Sequence, residues 1–278
     1  MEHFALIGEK LGHSLSLPIH RLYCELTGTR ADYRLIELAP EKLPELRALM
    51  AREDLSGVNI TLPYKQAALL LMDHLSPEAR KIGAVNTVTR TGETLTGENT
   101  DVFGFTRTLA HEGIAIGGKT FGVLGASGGA AQAVVYALLA GGAKQLYLVS
   151  RKPLNRPMPG PRCAWVSEEN LCDLTYDVLV NATPVGMFPH ADACPADPIV
   201  LLNTQVLIDL IYNPAETRFL QIARASGRLG VNGLYMLVAQ AVRAEQLWHA
   251  CALDAQADQA ACALTDAIYE EMCKAPQS

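Results

Sequence analysis

Short apolar segments alternate with segments of helical spacing along most of the chain, and this alternation starts a second time near residue 100. Before that point the pattern predicts strands at residues 4–8, 33–38, 57–61 and 85–89, and helices at residues 17–26, 41–50 and 65–71. Alternating strands and helices favour a mainly parallel sheet that is covered on both faces. We therefore expect an α/β protein, and the restart predicts a second domain.

The second part of the chain repeats this rhythm and ends in two long helices. A helix capped by Thr100 or Asp101 is predicted to run to His111, and strands are predicted at residues 120–125, 146–149, 178–181 and 206–211. An Ala-rich helix at 128–139 follows the first of these strands, as in nucleotide-binding domains. Closing helices at 234–247 and 251–272 are expected to return to the first domain. The predicted domains are residues 1–100 completed by about 234–278, and residues 101–233, with a cleft between them.

The length and charge of the chain limit the classes of protein to which it can belong. Its 278 residues suit two domains, and a hydrophobic content of 49% can fill two cores. A formal net charge of −6 argues against nucleic acid or an anionic membrane as the main partner, because both select basic surfaces. The sequence shows no basic-then-apolar leader and no apolar run of about 18 residues. We expect a soluble, cytoplasmic protein with a small-molecule substrate, either a monomer or a homodimer.

The cysteines and histidines give no sign of a metal site. Seven cysteines form an odd set without a Cys-x-x-Cys pair, which favours reduced thiols over a disulfide frame or a zinc site. No cluster of His, Cys and Asp has metal-ligand spacing, so no metal is expected.

A glycine-rich turn joins the predicted strand at 120–125 to the Ala-rich helix. It consists of Gly125, Ala126, Ser127, Gly128, Gly129 and Ala130. Glycines let the backbone approach a pyrophosphate, and a helix N-terminus supplies free N–H groups and a positive dipole. Ser127 occupies the place of the second glycine in the dinucleotide-binding pattern, so a tight turn without a ligand is the alternative.

The residues after the next predicted strand indicate which cofactor this turn would bind. An acidic residue there would hold the ribose 2′-hydroxyl of NAD. This chain instead has Ser150, Arg151 and Lys152, with Arg156 nearby. An arginine fork suits a 2′-phosphate and the lysine adds charge, so NADP is favoured over NAD. The alternative is an ordinary solvated basic loop.

One lysine and one aspartate form the candidate catalytic pair. Lys65 follows a strand that Pro63 breaks, and Asp101 lies at the start of a predicted helix. A partly desolvated lysine can exchange a proton with an alcohol, and a helix N-terminus favours an ionised aspartate. The pair could therefore assist removal of an alcohol proton while a hydride leaves the carbon. The alternatives are an exposed lysine and a plain N-cap.

Two serines near the N-terminus, Ser14 and Ser16, are a candidate anchor for a carboxylate. Residues spaced i, i+2 point the same way in an extended chain, so both hydroxyls could bind one carboxylate. A helix-capping turn is the alternative. His13 and His20 are expected to be structural hydrogen-bonding residues rather than catalysts.

Several motifs together resemble the shikimate dehydrogenase family, in order and over nearly the whole chain. They lie at residues 12–16, 57–65, 83–87, 97–101, 181–187, 209–214 and 233–241. The resemblance implies an NADP-dependent oxidoreductase with an N-terminal substrate domain and a Rossmann-type domain. Its implied reaction is the reversible reduction of 3-dehydroshikimate to shikimate with NADPH, a step in aromatic amino-acid biosynthesis.

The resemblance also implies roles for individual residues. Lys65 would transfer the proton with Asp101 as its partner, while Ser14 and Ser16 would hold the substrate carboxylate. The ring-hydroxyl site would be completed by Thr61, Asn86, Tyr212 and Gln240. The nicotinamide end of the cofactor would be lined by Thr183, Leu210 and Gly233.

Three departures from the family pattern are present. The usual turn reads Gly-Ala-Gly-Gly-Ala, which Ser127 interrupts, and Ser150 replaces an asparagine before the adenosine-binding arginine. Leu17 replaces a proline, with Pro18 next. The first two departures concern the grip on the cofactor and not the chemistry.

Three rival functions share parts of this pattern. A quinate or dual quinate/shikimate dehydrogenase would have the same pocket, since quinate differs by an additional hydroxyl. A non-catalytic NADP-binding regulator would need neither Lys65 nor Asp101, so the presence of both disfavours it. Methylene-tetrahydrofolate dehydrogenase has a similar two-domain shape and a lysine, yet it lacks the Ser-x-Ser anchor.

Overall fold

A computed structural model describes residues 1–12, 14–151, 158–250 and 255–274. The chain divides into two compact units. The first unit comprises Met1–Gly104 and Leu237–Ser278, and the second comprises Phe105–Met236.

Strands and helices alternate along the chain, as the sequence predicts. The first part forms β1 (Glu2–Gly8), α1 (Ser16–Thr27), β2 (Ala31–Glu37), α2 (Leu46–Arg52), β3 (Gly57–Ile60), β4 (His74–Leu75), α3 (Pro77–Ile82), β5 (Thr87–Thr91), β6 (Thr94–Glu98) and α4 (Asp101–His111). The next part forms β7 (Thr120–Leu124), α5 (Gly129–Ala140), β8 (Gln145–Val149), β9 (Cys163–Val166), β10 (Val178–Asn181), α6 (Pro198–Leu202), β11 (Val206–Asp209), α7 (Arg218–Ala225) and β12 (Leu229–Val231). The last described helices are α8 (Leu234–Trp248) and α9 (Ala255–Lys274), and 3₁₀ helices lie at Pro40–Glu45, Ala67–Leu71 and Glu168–Asp173.

The sheet of the first unit has the strand order β2-β1-β3-β5-β6-β4. The pairs β1–β2, β1–β3 and β4–β6 are parallel, whereas β3–β5 and β5–β6 are antiparallel. β5 runs opposite to both of its neighbours, and the other five of these six strands point the same way, so the sheet is mainly parallel, as expected. A tight turn containing Gly92, where φ is 62°, joins β5 to β6 as a hairpin. The second strand of this hairpin has a single large apolar residue, Leu95, so hydrophobic periodicity does not reveal it.

Aromatic packing ties the end of α8 to the sheet of the first unit. The rings of Phe4 and Trp248 stack with their centroids 4.4 Å apart, and Trp248 Nε1 donates to the Val88 carbonyl over 3.0 Å. A Cβ at Gly57 would collide with the same indole ring, so glycine is needed there. This contact fixes one end of α8 against β1, β3 and β5.

The sheet of the second unit is parallel throughout, with the strand order β12-β11-β10-β7-β8-β9. Numbered within the unit, this order is 6-5-4-1-2-3, which is the Rossmann arrangement and confirms the predicted fold. The direction of strand progression reverses between β7 and β10. Ligands of such sheets bind at the carboxyl ends of the strands beside this reversal.

Two predicted helices in the first unit differ from the structure. The helix expected at 41–50 is divided into a 3₁₀ helix and α2. Pro44 lies inside the 3₁₀ segment and lacks the N–H that an α-helix would need there. The helix expected at 65–71 is a 3₁₀ helix that starts only at Ala67, so Lys65 lies in the preceding turn.

The cysteines, the helix lengths and the grouping of metal-ligand residues can be compared with the expectations from composition. Free thiols are found at Cys24, Cys163, Cys172, Cys194 and Cys262. Each helix among the described residues is too short or too polar to cross a lipid bilayer. Within the same part of the chain, no group of three or more His, Cys, Asp or Glu side chains is arranged to hold a metal ion.

Candidate active site

Lys65 and Asp101 form a close ion pair within the first unit. Lys65 Nζ donates to Asp101 Oδ2 over 2.6 Å, and the two side chains are only 14% and 9% exposed. Such limited exposure strengthens the attraction, because little water screens it. Thr61 lies just before the same turn, half-buried, with its N–H donating to the Ile7 carbonyl over 2.9 Å.

Local folding fixes both members of this pair. The carbonyl of Lys65 accepts the Val85 N–H over 2.8 Å, and the adjacent Tyr64 is buried with its hydroxyl donating to the Leu38 carbonyl. Asp101 is the first residue of α4, where free N–H groups and the helix dipole favour a carboxylate. The two charged groups therefore meet at a turn and a helix start that are each anchored by the backbone.

A cluster of amides and hydroxyls surrounds the carboxylate of Asp101. Asn86 Nδ2 donates to Asp101 Oδ1 over 2.9 Å and to Thr100 Oγ1 over 3.0 Å. Thr100 Oγ1 lies 3.2 Å from Gln240 Oε1, to which it donates. The structure thus brings the predicted residue Asn86 to the carboxylate and the predicted residue Gln240 to Thr100. Thr100 also belongs to this cluster, although the sequence indicates it only as a helix cap.

Of the two alternatives for the serine segment, an extended chain and a turn at a helix start, the backbone has the second. Leu15 is helical, with φ −84° and ψ 0°, and Ser16 is already the first residue of α1. Ser14 Oγ accepts the Ser16 N–H over 3.2 Å, so Ser14 contacts the first residue of α1, whereas the N-cap position is occupied by Leu15. Pro18 suits the first turn of a helix, where its missing N–H costs nothing. Ser16 is buried and hydrogen-bonded with the Tyr33 hydroxyl.

His20 is a buried hydrogen-bonding residue. Its ring stacks on Tyr33 with a centroid distance of 3.8 Å, and its Nδ1 lies 2.5 Å from Glu245 Oε1. His13 lies outside the described residues.

The glycine turn of the second unit combines a positive φ at its first residue with open space at the start of α5. Gly125 has φ 71°, and a Cβ there would lie 2.6 Å from Thr183 Cγ2. Gly128 caps α5, a Cβ on Gly129 would meet open space, and Ser127 is exposed. The first N–H groups of a helix have no partner within that helix. The backbone therefore presents donors and free room at the carboxyl end of β7.

Arg151 lies exposed just after β8, and Ser150 before it is buried. Arg151 lines a cavity of about 720 Å³, whose wall also carries Glu168, Glu169 and Asp173. These carboxylates would repel a phosphate, and the guanidinium of Arg151 would attract one. Lys152 and Arg156, the other predicted cations, lie outside the described residues.

Asp209 is a buried carboxylate that is absent from the predicted site residues. Its Oδ1 accepts from Asn181 Nδ2 over 2.9 Å and from the Ile211 N–H over 3.1 Å, and its Oδ2 accepts from Thr217 Oγ1 over 2.6 Å. Burial raises the pKa of Asp209 to about 6, against the opposing effect of these hydrogen bonds. Its place at the carboxyl end of β11 is the sequence signal that could have identified it.

The residues predicted to line the nicotinamide end come together beside this carboxylate. Asn181 Oδ1 accepts from both the N–H and the hydroxyl of Thr183, and the Asn181 carbonyl accepts the Leu210 N–H over 2.9 Å. A Cβ at Gly233 would collide with the Leu210 carbonyl. Only glycine therefore lets the backbone at residue 233 come this close to Leu210. Burial raises the pKa of Tyr212 above its ordinary value.

A Rossmann sheet with an open glycine turn binds dinucleotides, and a little-exposed lysine held by a carboxylate is suited to proton transfer. These two features define a dinucleotide-dependent oxidoreductase.

Comparisons with known proteins give the family. Residues 6–88 match the shikimate dehydrogenase substrate binding domain. The chain is 42% identical to shikimate dehydrogenase (NADP(+)) of Clostridium beijerinckii, over 91% of this chain and 94% of that protein. A chorismate mutase/shikimate 5-dehydrogenase fusion protein from Clostridium acetobutylicum matches with a TM-score of 0.93 at 39% identity, covering 99% of each chain. Shikimate 5-dehydrogenase of Thermus thermophilus, solved with NADP(H) and shikimate, matches with a TM-score of 0.82 at 34% identity, covering 95% of this chain and 100% of that one. The chain belongs to the shikimate dehydrogenase family, as its motifs predict.

Proposed function

We propose that this chain catalyses the reversible reduction of 3-dehydroshikimate to shikimate with NADPH, a step in aromatic amino-acid biosynthesis. The observation that carries the proposal is the contact of 2.6 Å between Lys65 Nζ and Asp101 Oδ2 in a place with little solvent. An acid/base residue must be held near its partner before substrate arrives, and this pair is held by a turn and a helix start.

Lys65 acts as the proton-transferring residue. During reduction the substrate carbonyl oxygen gains negative charge, and the Lys65 ammonium donates a proton to it. In the reverse direction the neutral amine accepts the proton of the shikimate hydroxyl. Asp101 holds the ammonium in place and can accept a hydrogen bond from the reacting hydroxyl. NADPH, when bound, supplies the hydride.

Polar side chains are assigned to the substrate. Ser14 Oγ uses a lone pair to accept the Ser16 N–H, so its own proton is free to donate to a carboxylate. Among the contacts of Asn86 Nδ2, the one to Gln240 Oε1 is long, at 3.5 Å, so a ring hydroxyl can replace it. Further hydroxyls come from Thr61 and Tyr212. Each such contact adds specificity, because a missing hydroxyl on the ligand leaves a buried polar group unpaired.

The second unit holds NADP through groups that fit it. The pyrophosphate is assigned to the turn formed by Gly125, Ala126, Ser127, Gly128, Gly129 and Ala130. The adenosine 2′-phosphate is assigned to Ser150, Arg151 and Lys152, and the nicotinamide to Thr183, Leu210 and Gly233. The close backbone approach that only glycine permits at Gly125 and Gly233 supports this assignment, as do the open space at Gly129 and the exposed guanidinium of Arg151.

A single spectrophotometric experiment tests the proposal. The purified chain is assayed at 340 nm with shikimate and with quinate, each with NADP and with NAD. We expect the highest kcat/KM for shikimate with NADP. A higher kcat/KM for quinate would assign a quinate dehydrogenase instead. Binding of NADPH without turnover of either substrate would indicate a non-catalytic regulator and overturn the proposal.

A further inference from the structure

Asn59 is a polar residue in the middle of a buried strand of the first unit. It is 5% exposed and lies in β3, opposite Thr87 of the antiparallel strand β5. Its Oδ1 accepts the Tyr33 hydroxyl over 2.8 Å, and its Nδ2 donates to Thr87 Oγ1 over 3.1 Å. A buried amide is costly unless its hydrogen bonds are made, so this position calls for an explanation beyond strand formation.

Thr87 connects Asn59 to the amide that contacts the catalytic carboxylate. Thr87 is 1% exposed, and its Oγ1 lies 3.1 Å from Asn86 Oδ1 and 3.2 Å from Thr100 Oγ1. Asn86 Nδ2 in turn donates to Asp101 Oδ1. The Thr87 hydroxyl therefore connects Asn59 to the side-chain amide of Asn86, which donates to Asp101.

Obligate donors and acceptors fix the direction of these hydrogen bonds. The Asn86 backbone carbonyl can only accept, and it lies 3.4 Å from the amide of Asn59, so Nδ2 of Asn59 must face that side. The Thr100 N–H can only donate, and it lies 2.7 Å from Oδ1 of Asn86. Thr87 Oγ1 therefore accepts from Asn59, and of the two acceptors in reach of its single proton Asn86 Oδ1, at 3.1 Å, is nearer than Thr100 Oγ1, at 3.2 Å. With its oxygen held in this way, Asn86 must turn Nδ2 toward Asp101.

We propose that Thr87, oriented by Asn59, is a positioning residue for the Lys65–Asp101 pair, an inference that rests on the proposed function of that pair. The Thr87 hydroxyl keeps the Asn86 amide in the one orientation that donates to Asp101 Oδ1. This bond leaves Oδ2 of the carboxylate for Lys65, so the ammonium stays at the place where it transfers its proton. Thr87 itself does not need to touch substrate or cofactor.

The sharpest test replaces Thr87 by two residues of similar size. Thr87→Val keeps the shape and removes the hydroxyl, whereas Thr87→Ser keeps the hydroxyl. Losing one buried hydrogen bond in the transition state lowers a rate about 10- to 100-fold. We expect Thr87→Val to lower kcat by about this factor while both Michaelis constants change by less than about threefold. Thr87→Ser should stay within about threefold of the unchanged enzyme in kcat.

A second readout separates positioning from mere stability. With the pair misplaced, proton transfer becomes slower relative to other steps, so the solvent deuterium isotope effect on kcat should rise in Thr87→Val. The matched control is Thr204→Val, because Thr204 is also fully buried but donates to the Val200 carbonyl of the second unit. This control should lower the melting temperature without changing kcat. If Thr87→Val does not fold, Thr87→Ala removes the same hydroxyl without adding bulk and should show the same loss in kcat.

The outcomes distinguish failure of this inference from failure of the proposed function. If the wild-type chain is inactive, the proposed function is refuted. An active chain in which Lys65→Ala abolishes turnover, while Thr87→Val lowers only the melting temperature, would refute the positioning role alone. A loss in Thr87→Ser as large as that in Thr87→Val would also contradict it, since the hydroxyl is then not what matters.

Discussion

The two units build their candidate sites from different parts of the polypeptide. In the first unit the site consists of side chains, with Asp101 receiving hydrogen bonds from both Lys65 and Asn86. In the second unit the candidate site depends on two residues without side chains, since Gly125 and Gly233 occupy places where a Cβ would collide with the chain. Chemical identity therefore matters most in the first unit, and backbone shape in the second.

This difference predicts that substitutions in the two units change different kinetic constants. A changed side chain beside the reacting atoms removes an interaction that is made in the transition state, which lowers kcat. A changed backbone or phosphate contact removes an interaction that is present in the ground state as well, which raises KM for the cofactor.

The largest expected effect comes from removing the amine of the first unit. Lys65→Ala should lower kcat by about 10²–10⁴, the usual cost of losing a general acid/base, with little change in KM for shikimate. Steady-state kinetics in both directions would measure this. Lys81→Ala is the control, because Lys81 is exposed on α3. Near-normal turnover of Lys65→Ala would end the assignment of proton transfer to this residue.

Asp209 is an exception in the second unit, since there a charged side chain supports the site. Its pKa is raised by burial from 3.8 to about 6, so the folded chain binds its proton more tightly than the unfolded chain does. The stability that this proton adds is fully present below pH 3.8 and is lost as the pH rises through about 6. The loss amounts to about 3 kcal/mol.

Replacing this carboxyl by an amide should remove that pH dependence. Urea unfolding between pH 4 and 7 would give the free energy of unfolding of Asp209→Asn and of the wild-type chain. As the pH rises over this range, the variant should gain about 3 kcal/mol of stability relative to the wild-type chain. Groups outside this cluster cancel in the difference. A difference that is independent of pH would show that Asp209 titrates as an ordinary aspartate.

The glycine turn offers a direct test of the claim about backbone shape. Gly125→Ala forces a methyl group to within 2.6 Å of Thr183 Cγ2 at a residue with φ 71°. Backbone strain of about 1–3 kcal/mol should raise KM for NADP about 10- to 100-fold and change kcat less. Gly142→Ala is the control, since Gly142 has φ 78° but open space around its Cα. An equal rise in KM in both variants would mean that the turn has no special role.

The sequence predicts the fold well where regular patterns decide it. The parallel strands β7, β8, β10 and β11 are buried apolar runs, and each was predicted within two residues of its bounds. The short strand β12 and the hairpin strand β6 were missed, because each contains a glycine and few large apolar residues. Local periodicity cannot identify strands that are stabilised mainly by pairing with their neighbours.

The site residues were predicted from motifs. The residues that this prediction left out act through long-range contacts. Lys65 and Asp101 are 36 positions apart, yet their motifs brought both into the prediction. Asp209 was missed because its role depends on Asn181, which reaches it only through the pairing of β10 with β11. Around Ser14 the sequence leaves an extended anchor and a helix-capping turn open, because residue spacing alone cannot distinguish a strand from the start of a helix.

The smallest expected effect lies at the exposed edge of the second unit. Arg151→Ala should raise KM for NADP about 10-fold, since an exposed charge-assisted hydrogen bond contributes little more than about 1.4 kcal/mol. KM for shikimate should stay unchanged, and so should KM for NAD, which lacks the 2′-phosphate. Arg218→Ala, at another exposed position of the second unit, serves as the control. If Arg151→Ala weakened NAD and NADP equally, the guanidinium would be packing on the adenosine instead of binding the phosphate, and one side chain would then shape the cofactor site that we attribute mainly to the backbone.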